Sequence, residues 1–264
     1  MKSLNKKYIL SMILSVVVLS FLIACGNASI DSSNNEEKLI MGLDDTFAPM
    51  GFRNAKGELD GFDIDLSRAV AKKLGVNIEL QPIEWSMKEA ELNTGNIDLI
   101  WNGYSIDEVR KTKVAFSTPY LANRQIVVTL ADANIDVLDD LKGLVVAVQA
   151  ESSAIGAAYS KEGFVESLKN GKMIEFGTNN EAFNDLEAGR SDAVVVDEVL
   201  ARYYMKQNGE EKYKILEEDL GDEEFGIGMR KEDTQLVKDI NRALKELRED
   251  GTYDEIYDKW FSDK

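Results

Sequence analysis

A chain of 264 residues with 44% hydrophobic content carries enough apolar material for one sizeable core or two smaller ones, and its composition is neither disordered nor fibrous. A formal net charge of −17 argues against nucleic acid or an anionic membrane surface as the main partner and fits a well-solvated surface. Histidine is absent altogether, which excludes His-dependent catalytic triads and zinc sites built on imidazole.

The chain opens on a targeting pattern. Lys2, Lys6 and Lys7 precede an apolar run from Tyr8 to Ala24, and the run ends Leu22-Ile-Ala-Cys25. A small residue before the only cysteine resembles the bacterial lipoprotein signal, so residues 1–24 are expected to be a cleaved signal peptide and Cys25 an acylated membrane tether. An uncleaved anchor is the alternative, but the run is short for a spanning helix. With Cys25 lipidated no thiol remains for a disulfide. Residues 25–37 are rich in Ser, Asn and Glu without apolar periodicity, the composition of a flexible stalk.

From Leu39 strand and helix patterns alternate. Leu39 to Leu43 reads as a buried strand, and Phe62-Asp-Ile-Asp-Leu66 leads into a helix with Leu66, Ala69, Val70 and Leu74 on one face and Gly75 at its stop. A strand from Ile78 to Ile83 and a helix through Met87 to Leu92 lead to a third strand, Leu99-Ile-Trp101. This β-α-β-α-β order implies a parallel sheet with helices on its faces. The third strand breaks at Asn102-Gly103, and a short helical turn carrying Arg110 follows. Such strand ends face the crevice where α/β folds bind small ligands. Gly103 lets a ligand approach the main chain, Ser105 offers a hydroxyl, and Arg110 presents a planar fork suited to a carboxylate. Taken alone an arginine there is more often solvated or paired with a surface acid, and Trp101 alternates toward the core.

The count then begins again. Gln125 to Leu130 is a strand; Leu144 to Gln149 is another, meeting Glu151-Ser152-Ser153, whose hydroxyls suit the N-cap of a helix running towards Leu168. Ala193 to Asp197 is a strand that ends in an acid and opens into a helix through Tyr203 and Tyr204. Phe225 to Arg230 is a late strand. The long helix after it carries Leu236, Val237, Ile240, Ala243, Leu244 and Leu247 at helical spacing, a core stripe that Gly251 ends. Tyr253 to Phe261 forms a last aromatic helix.

Asp60-Gly-Phe-Asp-Ile-Asp-Leu66, Asn96-Ile-Asp-Leu-Ile100, Ser105 to Arg110, Phe116-Ser117 with Pro119-Tyr120, and Gly251-Thr-Tyr to Lys259-Trp-Phe261 stand in the order found in one family. The chain resembles the family 3 solute-binding proteins that deliver polar amino acids to ABC importers, from about Lys38 to its end. The resemblance implies an α/β, two-lobed type II periplasmic-binding fold, each lobe a mainly parallel sheet flanked by helices, that closes on its ligand by a two-strand hinge. Lobe 1 would be 38–121 with 222–264, lobe 2 122–221, and the hinge segments near 121–125 and 219–225. It further implies a monomer that works with ABC permease transmembrane subunits and needs neither cofactor nor metal.

Carried over by position, the ligand carboxylate would be held by Arg110, by Ser105 and by the helix start at Ser152 and Ser153, and its α-ammonium by Asp197. A zwitterion taken from water needs both charges paired, and Arg110 with the helix N-terminus and Asp197 would supply both. Plain capping is the bland alternative for Ser152, Ser153 and Asp197. Phe47 and Trp85 match aromatic walls around the ligand side chain, with Asp44, Asn102 and Gly103 as nearby polar contacts, while Gln149 stands at a ligand-facing position where other members carry a different polar or charged group. Glu151 stands where many relatives have Gly; were it to face the cleft, acids at 44, 84 and 151 would favour Lys or Arg. A dehydratase on the same fold is the competing function, with Glu84 or Glu151 as the acid.

Overall fold

The structure is a computed structural model and describes residues 38–262. The expected signal peptide, Cys25 and stalk lie outside the described residues.

Two sheets share one layout. The first runs Asn77–Pro82, Lys38–Leu43, Leu99–Ile100, Gly228–Met229, Ala115–Phe116. The second runs Ile174–Phe176, Val146–Gln149, Ala193–Asp197, Leu121–Leu130, Tyr213–Ile215. In each, the first three strands are parallel and the last two join antiparallel. The sheets are therefore mixed rather than mainly parallel. The parallel part is what the strand–helix alternation dictates. The antiparallel part comes from chain that travels between the sheets and enters each against its neighbours.

Those connections are visible in one long strand. Leu121 to Arg124 pairs with Asp222–Phe225, and Gln125 onward pairs with Ala193–Asp197 and Tyr213–Ile215. The two antiparallel segments carry the chain out of the first sheet and back into it, where Gly228 pairs with Ile100 and Phe116. The late strand expected over Phe225 to Arg230 is thus two short strands with different partners.

The helix Phe62–Leu74 starts with Asp63 and Asp65 and ends with Lys72 and Lys73, charges that complement its dipole. Gly75 closes it in the left-handed region (φ 70°), which lets its N–H reach the Ala71 carbonyl. The helix Thr234–Glu249 buries Ile240, Ala243, Leu244 and Leu247. Each fully buried Leu or Ile there contributes about 2 kcal/mol. The last helix, Thr252–Phe261, packs its rings on Phe62, with the Phe261 ring centre at 5.1 Å and that of Tyr253 at 6.1 Å. Lys259 Nζ and the Trp260 indole N–H both reach Asp65, at 2.5 and 2.9 Å.

Two further features depart from the sequence expectation. A small antiparallel sheet of Thr46–Phe47, Gly51–Arg53 and Leu59–Asp60 fills the segment before the first helix and sets the position of Phe47. The helix expected to run from Ser153 towards Leu168 stops at Ser160, and a separate turn of helix covers Phe164–Ser167.

Candidate functional site

The strand ends at Leu43 and Ile100 are tied together by side chains. The Asp44 N–H donates to Asn102 Oδ1 (2.9 Å), and the Gly103 N–H donates to Asp63 Oδ2 (2.7 Å), which also accepts from the Tyr120 hydroxyl (2.8 Å). Gly103 sits at φ 58°, and a Cβ built on it would lie 2.8 Å from Phe47 Cε1, so conformation and space both require glycine. Asp63 is fully buried, and burial pushes its carboxyl up to about 7 against the opposing pull of the Gly103 and Tyr120 donors.

From this loop the chain turns into the short helix Glu108–Lys113. Asp107 caps it by accepting from the Arg110 N–H at 2.7 Å. The Arg110 side chain folds back over the Tyr104 ring, 4.5 Å from its centre, and is 6% exposed. Its Nη1 donates to the Ser105 carbonyl (3.0 Å) and its Nη2 to the Glu151 carbonyl (3.3 Å). Lys88 Nζ reaches the same Glu151 carbonyl at 3.0 Å.

The facing half is built on the second sheet. The helix Ser153–Ser160 points its N-terminus at the Ser105 turn, and the Ser153 and Ser105 hydroxyls lie 2.9 Å apart. The expected N-cap role of Ser152 is not realised by its side chain: its hydroxyl turns back to donate to the Gln149 carbonyl at 2.7 Å. Asp197 precedes the helix Glu198–Asn208 but makes no side-chain cap either. Its Oδ1 accepts instead from Asn123 Nδ2 (2.8 Å) and Gln125 Nε2 (2.9 Å). Both amides are shared with Glu223 Oε1, at 2.6 and 2.9 Å. Burial and the neighbouring Glu223 hold the Asp197 carboxyl well above its ordinary range. Two carboxylates gathered on the same neutral donors form a place for a cation. Gln125 Nε2 also reaches the Ser153 hydroxyl at 3.2 Å, so a continuous polar strip links this acidic end to Ser105 and Arg110.

The other expected positions cluster beyond Asp44. Asp44 Oδ2 accepts from Gln149 Nε2 (2.8 Å), and Gln149 Oε1 accepts from Asn179 Nδ2 (2.9 Å). Thr46 donates twice to Asp44 Oδ1, while burial raises the Asp44 carboxyl. Phe47 and Trp85 are 6% and 7% exposed and belong to different apolar clusters. Trp101 is fully buried, as its alternation implies.

The structure therefore brings Ser105, Arg110 and Ser153 into contact, with Asp197 joined to them through Gln125, and separately joins Asp44, Asn102 and Gln149. A cavity of about 620 Å³ is lined by Arg110, Gln125, Glu151, Ser152, Ser153 and Glu223, among others. Asp44, Phe47, Trp85, Asn102, Gly103 and Gln149 are not part of its wall, and Ser105 and Asp197 lie behind it, reached through Ser153 and Gln125. Glu84 and Glu151, the acids a dehydratase would call on, are both exposed. It is the main-chain carbonyl of Glu151, held at φ 56°, that meets the cations. The Glu151 side chain, though exposed, stands on the wall of the same cavity. Sequence reasoning missed Lys88, Tyr104, Asn123, Gln125 and Glu223. Of these only Lys88 left a local mark: it lies three residues after Trp85 and four before Leu92, on the apolar face of its helix.

Comparison with known proteins adds the following. The family model for bacterial extracellular solute-binding proteins, family 3, matches residues 39–263. The L-cystine-binding protein TcyJ of Escherichia coli (strain K12) is 31% identical over 225 residues, covering 84% of this chain and 82% of TcyJ. A substrate-binding protein of an ABC uptake transporter from Streptococcus pneumoniae, solved with bound histidine, superposes with a TM-score of 0.83 at 42% identity, covering 86% of this chain and 93% of that one. The ancestral amino-acid-binding protein AncCDT-1, a precursor of cyclohexadienyl dehydratase, superposes with a TM-score of 0.77 at 36% identity over 85% of this chain and 96% of its own.

Proposed function

Because the chain belongs to the bacterial extracellular solute-binding proteins of family 3, we propose that it is the binding component of an ABC importer, capturing a polar L-amino acid between its two sheets and handing it to a permease. The observation that carries this reading is the opposition of charges along one polar strip. Arg110 stands at one end and Asp197 with Glu223 at the other, with the Ser105 and Ser153 hydroxyls between them. An amino acid carries the inverse pattern on its α-carboxylate and α-ammonium. Arg110 takes the carboxylate, aided by the Ser153 helix N-terminus. Asp197 takes the ammonium, and Asp44 with Gln149 meets the side chain beside Phe47 and Trp85.

The two halves of the site come from chain that pairs into different sheets, so a ligand held by both stabilises the closed arrangement over an open one. The hinge for that motion is the antiparallel pair Leu121–Arg124 and Asp222–Phe225. The lobes it joins are 38–121 with 222–264, and 122–221. The reading makes the protein a carrier and not an enzyme: the candidate acids for a dehydratase are exposed, whereas the buried Asp197 and Asp63 serve the zwitterion strip and the loop at Gly103.

Calorimetric titration of the full chain in detergent with the twenty L-amino acids and L-cystine tests this directly. One or a few polar amino acids should bind at micromolar strength, about −8 kcal/mol. Arg110→Met should weaken that binding by about 2 to 5 kcal/mol, since it leaves a buried carboxylate without its partner. Turnover of prephenate with no amino-acid heat would replace the transport reading by the dehydratase one.

We further propose that Cys25 is lipidated and tethers the protein to the outer face of the cell membrane. Cys25→Ser should then move the protein from the membrane to the soluble fraction with its ligand affinity unchanged; a variant that still sediments with membranes rules the tether out.

A further inference from the structure

Lys88 is 1% exposed, and its one ion pair among the described residues is a long one, to Glu89 Oε2 at 3.6 Å, beyond hydrogen-bond distance. It is held instead by two main-chain carbonyls, those of Trp85 (3.2 Å) and Glu151 (3.0 Å), and sits 5.0 Å from the centre of the Trp85 ring. The Glu151 carbonyl is also the acceptor for Arg110 Nη2. Two buried cations from one half of the molecule thus converge on a single neutral oxygen of the other. Each cation has one acid at the long end of ion-pair distance, Asp107 Oδ2 3.4 Å from Arg110 Nε and Glu89 Oε2 3.6 Å from Lys88 Nζ, but the like charges still repel across the carbonyl they share. The position itself sharpens the point. Lys88 follows Trp85 by three and precedes Leu92 by four, so it occupies the inward face of its helix, where an apolar side chain of similar length would pack without a desolvation cost.

On the amino-acid reading above, we propose that Lys88 is a second cation of the carboxylate subsite, its ammonium and the Arg110 guanidinium each taking one oxygen of the ligand's α-carboxylate in place of the shared Glu151 carbonyl. A carboxylate has the two acceptors and the negative charge that the carbonyl lacks. The same placement selects against a second positive charge on the ligand near Trp85. Burial and Arg110 lower the Lys88 ammonium to about 8, with Lys113 acting in the same direction and Glu89 and Glu151 against it. A ligand carboxylate beside it restores the charge.

The test uses the full chain in detergent as wild type, Lys88→Met and Lys88→Arg. Each is titrated with the amino acids that bind wild type and with the carboxamides of those amino acids. Lys88→Met should weaken each acid tenfold or more while changing its carboxamide by less than threefold; Lys88→Arg should keep most of the affinity for the acid. Equal affinity of Lys88→Met and wild type for the acid overturns the proposal, as does an equal loss for acid and carboxamide, which would mark a packing role. Should Lys88→Met fail to fold, a crystal structure of wild type with its amino acid decides: Nζ within hydrogen-bond distance of the carboxylate supports the assignment, and Nζ still on the Glu151 carbonyl overturns it. If Arg110→Met abolishes binding while Lys88→Met binds the acid as tightly as wild type, the amino-acid reading stands and Lys88 alone is wrong. Silence of wild type toward every amino acid overturns both.

Discussion

Replacing Asp63 by asparagine removes one buried ionisation while leaving a side-chain oxygen for the Gly103 N–H and the Tyr120 hydroxyl. In the folded chain this carboxyl is raised from 3.8 to about 7 by burial. Below the lower value both folded and unfolded chains hold the proton and the group contributes no pH dependence. Between the two values the folded chain keeps a proton that the unfolded chain has released, so stability falls as pH rises. Above the higher value the cost is constant. At about 1.4 kcal/mol per unit the whole span amounts to about 4 kcal/mol, of which about 3 falls between roughly pH 4.5 and 8. Urea denaturation of wild type and Asp63→Asn across that range isolates the group, because Asp44 and Asp197, also raised, are present in both proteins and cancel in the difference. The variant should gain about 3 kcal/mol on wild type between the two ends of the range. Any fixed cost of the new amide beside Trp101 shifts the whole curve and leaves that gain intact. A difference between the two proteins that does not change with pH would refute the reasoning, since Asp63 would then be ionised in the fold at every pH tested.

Gly103→Ala should cost about 1 to 3 kcal/mol in the same denaturation assay, because it adds a Cβ 2.8 Å from Phe47 at a left-handed position; an unchanged midpoint would show that the loop can relax. Asp197→Asn should weaken amino-acid binding by about 2 kcal/mol or more, since the ammonium loses its ionic partner. Wild-type affinity should fall as pH drops through the raised range of the Asp197 carboxyl, and calorimetry of Asp197→Asn should show a flatter acid limb; identical limbs would transfer the ammonium to another group.

Much of the parallel scaffold was legible because its signals are local. Apolar runs, the Gly75 stop and the break at Asn102-Gly103 each announce themselves within a few residues, and the structure places strands and helices accordingly. The small sheet before the first helix was not legible: strands of two and three residues are too short to show alternation. The helix Asn179–Glu187 does carry a local signal, the capping box that Thr178 and Glu181 form around its start. The mixed character of the sheets lies in pairings such as Gly228 with Ile100, which no local pattern encodes.

The same distinction runs through the site. Ser105, Asp107 and Arg110 lie within one turn and a short helix, so their geometry follows from spacing and a cap. What gives them meaning is remote. Asp197 meets Asn123 across 74 positions, and Asn123 meets Glu223 across 100. Lys88 finds the Glu151 carbonyl across 63. Glu223 stands in the run Asp222-Glu-Glu224, which by composition is a solvated surface; only its pairing beside Arg124 and Asn123 turns one of its three carboxylates towards Asp197. Charge placement of this kind is a property of the crossover, where the chain leaves the first sheet at Leu121 and returns at Asp222. Substitutions along that pair should accordingly change ligand affinity through the acids they carry, even where they leave both cores intact.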